Sequence, residues 1–361
     1  MRGSARLFSF KGIEIKVHFT FLFLFLLVAY SFASDEVNHG GQALMGALKG
    51  IGLITFVFFC VISHELCHSL TARRYGIKVK DITLLPIGGI ASLSGFPDDP
   101  RQELAISLAG PLFNFVLAFI LGIPLILYLG WERFWSGGSG FPDILAYAFW
   151  INVVLGVFNL LPAFPMDGGR VLRAFLARRM DYQRATHIAA LFGQIFAFIF
   201  AVWGLRHNII LFFIGLFIYF GATQEEAAVQ IRTILKRFRV KDILSRGIEV
   251  VSPNDNMASV LEIIFHHRQE DFPVLDEGAL VGFLSRQEIL VGLRSGSDKV
   301  VGDIMRRDFI TVSPQDSLVE VQRQMQEVGV KALPVIEGGK VAGLVTLEDI
   351  SKIYLFMSSP K

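Results

Sequence analysis

Long apolar runs fill the chain from residue 17 to about residue 222; beyond that, apolar positions are scattered as in a soluble sequence. A helix that crosses a bilayer needs about 20 mostly apolar residues. Six stretches meet or approach that length: 17–33, 44–63, 104–129, 144–161, 188–205 and 209–222. The last is short, and Arg206-His207-Asn208 reads as a tight turn ahead of it. Basic residues gather before the first stretch (Arg2, Arg6, Lys11, Lys16) and after the second (Arg73, Arg74, Lys78, Lys80). They gather again between the fourth and fifth (Arg170, Arg173, Arg178, Arg179, Arg184) and after the sixth (Lys236, Arg237, Arg239, Lys241). The alternate loops, 34–43 and 130–143, are poor in Lys and Arg. Because Lys and Arg accumulate on the cytosolic side, the pattern predicts a multi-pass protein of the cell membrane with six spans. Both termini are then cytosolic.

Composition agrees with a membrane part followed by a soluble part. The chain has 361 residues, 53% hydrophobic and 18% charged, against about 45–50% and about 25% for a soluble domain. A net charge of +2 gives no bulk electrostatic case for nucleic acid. Cys60 and Cys67 fall in one predicted helix, about 10 Å apart, too far for a disulfide. A disulfide-stapled secreted fold is therefore excluded. No small-residue cleavage site closes the first apolar run, which reads as a retained span.

The segment Ile62-Ser63-His64-Glu65-Leu66-Cys67-His68 carries an H-E-x-x-H pattern at the end of the second run. On a helix, positions i and i+4 share a face, so His64 and His68 can present both imidazoles to one ion, with Glu65 beside them as a base. Ionisable groups in a span cost at least about 2.5–3.5 kcal/mol each and are rarely kept without a role. The bland readings are a structural metal site or two histidines bonded to backbone carbonyls. A catalytic zinc needs a third protein ligand and one open position. The fourth run ends in a Pro- and Gly-rich break, Asn159-Leu160-Leu161-Pro162-Ala163-Phe164-Pro165-Met166-Asp167-Gly168-Gly169. Irregular backbone at membrane depth is tolerated only when buried in protein or lining a wet cavity. Asp167 has two readings: an N-cap for the helical pattern over 171–180, or the carboxylate that completes a His-His-Asp zinc site.

H-E-x-x-H in an early span, with N-x-x-P-x-x-P-x-D-G in a later one, resembles the site-2 protease family of intramembrane zinc metalloproteases. The resemblance covers residues 1 to about 222. It implies Zn2+ held by His64, His68 and Asp167, Glu65 as general base, and Asn159 as a polar group near the tetrahedral intermediate. The rival for Asn159 is an interhelical hydrogen bond. Pro86-Ile87-Gly88-Gly89-Ile90-Ala91, between strand-like 79–85 and 91–93, is similar to the family's membrane-dipping β-hairpin. Gly88, Gly89 and Ile90 would then offer a strand edge to an unwound substrate; the plain alternative is a cytosolic turn. Ser107 to Asn114 resembles the family's next motif. There Ala109 and Gly110 would permit close helix contact, and Asn114 would give support through a hydrogen bond across the bundle.

After about residue 240 the sequence repeats with an offset of 61. Asp242 aligns with Asp303, Ser252-Pro253 with Ser313-Pro314, Phe272-Pro273 with Leu333-Pro334, and Gly282 with Gly343. Self-similarity at a fixed period means a repeated structural unit. Each copy reads as a short strand, a helix, a strand ending in x-Pro-Val, a Gly-containing turn, a strand and a helix. The pair is similar to tandem cystathionine-β-synthase-type (CBS) domains. That resemblance implies an adenine nucleotide, ATP by expectation, as regulatory ligand, and a possible homodimer through these domains. Gly343-Leu344-Val345-Thr346-Leu347-Glu348-Asp349 fits the family's nucleotide motif, which nominates Thr346 and Asp349. The first copy, Gly282 to Glu288, has Ser285 but Glu288 in place of Asp, and Val250 stands where the second copy has Thr311. One site is thus more complete than the other. The bland reading of Thr346 and Asp349 is helix capping.

The expected organisation is a polytopic α-helical protease domain over 1–222, a linker helix over 223–239, and soluble α/β CBS domains over 240–298 and 299–361. The expected activity is zinc-dependent cleavage of a transmembrane protein substrate, modulated by nucleotide. The alternative is a CBS-regulated ion transporter with the His/Glu/Asp cluster as a transit site.

Overall fold

A computed structural model describes residues 3–86, 88–93, 99–136, 141–267, 269–294 and 299–358. The chain divides into two compact units, Met1–Ala227 and Ala228–Lys361.

The first unit opens with strands β1 (Ser4–Phe10) and β2 (Ile13–His18), continues through helices α1 (Thr20–Asn38) and α2 (Ala43–Arg74), and returns to strands β3 (Val79–Leu85) and β4 (Gly88–Leu93). The four strands form one sheet in the order β1-β2-β3-β4. The central pair is parallel, from Glu14 opposite Asp81 to Val17 opposite Leu84, and the outer pairs are antiparallel. β1 and β2 had not been expected. Their signal is the alternation Ile13-Glu14-Ile15-Lys16-Val17, the period-2 pattern of a half-buried strand. Ile13, Ile15 and Ile82 on one face pack against Ala72, Ile62 and Leu66 of α2. On the polar side, Lys16 lies 2.8 Å from Asp81 and 3.0 Å from Glu14, and Ser92 Oγ donates to Asp81 at 2.7 Å. The hydrogen bond to Asp81 pushes the Lys16 ammonium up. Burial raises the Asp81 carboxyl, but the bonds from Lys16 and Ser92 outweigh it and leave the group below its usual range.

Helices α3 (Pro100–Leu129), α4 (Trp131–Ser136), α5 (Phe141–Asn159), α6 (Asp167–Leu176) and α7 (Tyr182–His207) follow, and α8 (Ile209–Leu235) begins in this unit and ends in the next. A helix stands at each of the six predicted spans. Five of them, all but α5, are long and apolar enough to cross a membrane; the described apolar part of α5, Ala146–Asn159, is shorter. Large apolar side chains such as Phe23, Leu127, Phe198 and Trp203 stand exposed along these helices, as lipid-facing surfaces do. Three boundaries differ from expectation. Val17 and His18 belong to β2, so the first span begins at Thr20. α2 runs eleven residues past Ser63, so H-E-x-x-H lies inside a continuous helix. α8 extends the short sixth run to Leu235, and the helical pattern expected from residue 223 is its continuation.

The second unit contains α9 (Met257–His267), β5 (Phe272–Asp276), β6 (Ala279–Leu284), α10 (Arg286–Arg294), α11 (Val301–Ile304), α12 (Leu318–Val328), β7 (Ala332–Glu337), β8 (Lys340–Thr346) and α13 (Leu347–Ser358). Its two repeats build their cores from equivalent positions. Val251, Met257, Val260, Phe272, Val274, Leu284 and Ile289 fill one. Val312, Leu318, Val321, Leu333, Val335, Val345 and Ile350, each 61 residues later, fill the other. The first short strand of each copy is a single bridge, Val251 to Val274 and Val312 to Val335. The x-Pro-Val segment opens the following strand rather than ending it.

Candidate active site

His64 and His68 sit one turn apart on α2 with their Nε2 atoms 3.0 Å apart. Asp167 Oδ2 lies 3.2 Å from His64 Nε2 and 3.1 Å from His68 Nε2. Four ligands around a zinc at about 2.0–2.1 Å stand about 3.3 Å from one another, so these three atoms fit one tetrahedral face. They form the three-residue group among the described residues that could hold a metal ion. His68 Nδ1 bonds to the Ile106 carbonyl of α3 at 2.6 Å. A carbonyl only accepts, so Nδ1 carries a proton, and a neutral His68 would turn the lone pair of Nε2 toward Asp167. An acceptor aimed at a carboxylate and a second imidazole calls for a cation between them, and the backbone carbonyl supplies the orienting outer contact common for metal-bound histidines.

Asp167 is the first residue of α6, not an N-cap; Met166 holds that position and no side chain caps the helix. The helix starts four residues earlier than the pattern had suggested, and the carboxylate turns to the histidines. Gly110 of α3 faces the same group: a Cβ there would overlap His68 Nε2 and lie 2.6 Å from His64 Nε2. Its role is therefore space beside the ligand atoms rather than helix contact alone. Glu65 is half-buried on the neighbouring side of α2, and Gly89 of β4 packs on it, with a Cβ at Gly89 falling 2.6 Å from Glu65 Cγ.

Gly88, Gly89 and Ile90 are the first half of β4, paired with Leu85, Leu84 and Thr83, rather than a turn. Gly88 has φ +137°, a conformation that favours glycine. Ile87 lies outside the described residues. Among the described residues β4 pairs on one side only, so its other edge is open. Asn159 is half-buried at the end of α5. Asn114 departs from expectation: it is fully buried, yet neither amide atom has a partner, so it makes no hydrogen bond across the bundle. Asn152 donates to the Ala148 carbonyl and Cys60 Sγ, as a packing residue does.

In the second unit, Thr346 Oγ1 donates to Asp349 Oδ2 at 2.7 Å and accepts from the Asp349 amide at 3.1 Å, a reciprocal cap at the start of α13. Ser245 Oγ approaches Asp349 Oδ2 at 3.5 Å, because Ser245 pairs through its backbone with Leu344. At the equivalent place in the first repeat, Arg306 pairs with Phe283 and its guanidinium reaches Glu288 at 3.0 Å. Ser285 also bonds to Glu288 through its amide and hydroxyl. Burial raises the Glu288 carboxyl, but the Ser285 hydrogen bond and the Arg306 charge outweigh it and hold the group below its usual range. Ser245 and Arg306 were not anticipated; their alignment at the 61-residue offset was the available signal. Thr311 is exposed.

A membrane-helix bundle with a buried His-His-Asp group beside a Glu, joined to a tandem of β-α repeats, defines the class: membrane metalloproteases that carry a CBS pair. The family model of peptidase family M50 matches residues 52–132 and 135–200, and the CBS domain model matches 240–295 and 301–355. The chain is 36% identical to zinc metalloprotease MJ0392 of Methanocaldococcus jannaschii over 97% of this chain and 96% of that one. It therefore belongs to the site-2 protease family of zinc metalloproteases, peptidase family M50. A solved site-2 protease from Methanocaldococcus jannaschii is 40% identical, covers 62% of this chain and 95% of its own, and aligns with a TM-score of 0.47. A solved CBS domain pair of protein MJ0100, in complex with 5′-methylthioadenosine and S-adenosyl-L-methionine, is 29% identical. It covers 34% of this chain and 98% of its own, with a TM-score of 0.31.

Proposed function

We propose that this protein cleaves a peptide bond of a transmembrane protein substrate within the membrane, with His64, His68 and Asp167 as zinc ligands and Glu65 as general base. The convergence of the three ligand atoms, each within 3.2 Å of the others, carries the reading. A zinc ion there supplies Lewis acidity toward a carbonyl and lowers the pKa of a water to about 7. Glu65 takes up a proton and returns it to the leaving amine, a role worth about 10²–10⁴-fold. A helical substrate hides its peptide bonds and must unwind. The open edge of β4 replaces the backbone bonds lost in unwinding, and the face of β4 at Gly89 packs on Glu65. Asn159 is assigned to the developing oxyanion, where one amide donor contributes about 2.7–4 kcal/mol.

The Lys- and Arg-rich segments place both termini in the cytosol. An adenine nucleotide bound at Thr346 and Asp349 regulates access, with Ser285 and Thr311 as further nucleotide contacts. In the first repeat Glu288 is already engaged by Ser285 and Arg306, so the second repeat is the stronger site. We further propose that the chain forms a homodimer through the CBS pair.

Elemental analysis of the purified full chain and of His64→Ala and Asp167→Ala tests the reading. One zinc per chain, sharply reduced in both variants, is expected. Zinc kept by Asp167→Ala removes Asp167 from the ligand set, and no zinc in folded wild-type protein removes the protease reading in favour of ion transit.

A further inference from the structure

α8 meets the chain on both sides of Asp167, at Pro165 and at Arg173. On one side, Gly221 of α8 packs on Pro165, two residues before Asp167; a Cβ at Gly221 would lie 2.7 Å from the proline ring. On the other, Glu225, one turn along α8, reaches Arg173 of α6 at 3.1 Å. Arg173 is 1% exposed and is the largest fully buried side chain of the chain's described residues. Its guanidinium donates through Nε to Glu103 of α3 at 2.8 Å, with Nη2 also bonded to that carboxylate. It lies 4.8 Å from the Phe164 ring and 4.9 Å from the Tyr182 ring. Arg173 thus joins α3, α6, α7 and α8 to the break that leads into Asp167. Nη1 meets Glu225 within ion-pair distance but without a well-aligned hydrogen bond, so the α8 contact is the less fixed end of the cluster.

We infer that Glu225 and Arg173 are positioning residues that fix Asp167 relative to His64 and His68, and that α8 thereby sets the metal affinity of the site. The inference rests on the ligand assignment proposed above. Removing buried charge partners here is not a generic loss of stability. In Glu225→Gln the Arg173 guanidinium keeps Glu103, so the buried cation stays paired, while the hold of α8 on α6 weakens. A displacement of α8 over residues 221–225 would therefore be felt at Asp167 through both contacts together.

The test uses the full chain in detergent, loaded with zinc and titrated against a chromophoric chelator, and loaded with Co2+ for its absorption spectrum. Partners beyond the ligands tune metal affinity by about 10–100-fold, and Glu225→Gln is expected to weaken zinc about 10-fold and shift the Co2+ bands. Glu225→Asp keeps the charge with one methylene fewer and is expected to fall between the two. Glu226→Gln removes a charge from the next residue of α8, where it pairs with the exposed His187 at 2.7 Å, and is expected to match wild type. If Glu225→Gln does not fold, the Co2+ spectrum and zinc affinity of Glu225→Asp decide. Wild-type affinity and spectrum in the folded Glu225 variants, or equal loss in Glu226→Gln, overturn the inference and leave the ligand assignment intact. Absence of zinc from the wild-type chain is the separate failure of that assignment.

Discussion

The sharpest consequence of the site's geometry is at Gly110, a buried position of α3 where one added carbon should weaken metal binding. At Gly110 the added Cβ would overlap His68 Nε2 and stand 2.6 Å from His64 Nε2. Ordinary contact begins near 3.5 Å, so the imidazoles must retreat by about 1 Å. His68 cannot swing freely, since its Nδ1 is bonded to the Ile106 carbonyl at 2.6 Å, and His64 is buried with 6% exposure. Even partners beyond the ligands tune metal affinity by about 10–100-fold, and a carbon that displaces the imidazoles themselves acts at the upper end of that range. Gly110→Ala should therefore bind zinc about 100-fold more weakly in chelator competition, with folding of the metal-free protein followed separately by thermal melting in chelator. Wild-type zinc affinity in a folded Gly110→Ala protein would refute the placement of the ion beside this glycine.

Three further outcomes follow from the same coordinates. Glu65→Gln should retain zinc by elemental analysis while cleavage of a transmembrane substrate in detergent falls by about 10²–10⁴-fold; retained cleavage excludes Glu65 as the base. Asp349→Asn should weaken ATP in calorimetric titration of the full chain by about 10-fold or more, the scale of a lost hydrogen bond to a charged group. Glu288→Gln should leave that affinity unchanged, and the reverse ranking places the nucleotide in the first repeat. The Glu288 carboxyl is held below its ordinary value, so its contribution is present above about pH 4.3 and is lost as pH falls through the folded-state value. Protection factors of the amides over 283–289 should therefore fall more on going from pH 6 to about pH 3 in wild type than in Glu288→Gln; an identical fall in both counts against the assigned contacts.

The spans, the H-E-x-x-H pair and the 61-residue repeat were legible because each is written in local period or spacing. His64 and His68 needed only the 3.6-residue turn, and the repeat cores follow from apolar positions such as Met257 and Leu318 recurring at one offset. Asp167 was legible as a residue but not as a helix position, because Gly168 and Gly169 disguise the first turn of α6. β1 and β2 were hidden by their setting. Lys16 and Glu14 made the segment look mixed in character, and the parallel pairing that gives it a role joins residues 67 apart. Arg173 looked like one more basic residue of a cytosolic loop. Nothing in its spacing announces that it is buried, since Glu103 and Glu225 come from two other helices.

The break at 160–166 poses a physical problem that the surrounding helices answer with glycine. Its backbone cannot satisfy itself as a helix does, and at membrane depth it cannot turn to water, so protein must cover it closely. Side chains would hold the covering helices too far away. A Cβ at Gly168 would overlap the Leu161 carbonyl, one at Gly169 would fall 2.5 Å from the Phe164 amide, one at Gly193 of α7 would overlap the Phe164 carbonyl, and one at Gly221 would press on Pro165. Three helices thus approach the break at backbone distance, and the Phe164 amide reaches the Ala189 carbonyl of α7 at 3.5 Å. Each glycine costs helix propensity at its own position. Together they hold an irregular loop rigid enough to end in a carboxylate directed at two imidazoles from a helix more than ninety residues earlier. A regular helix through residues 160–166 would remove the need for them, but it would carry Asp167 past the histidines. Arg173 adds to this cover, its guanidinium standing 4.8 Å from the Phe164 ring while its charge is met by Glu103 and Glu225.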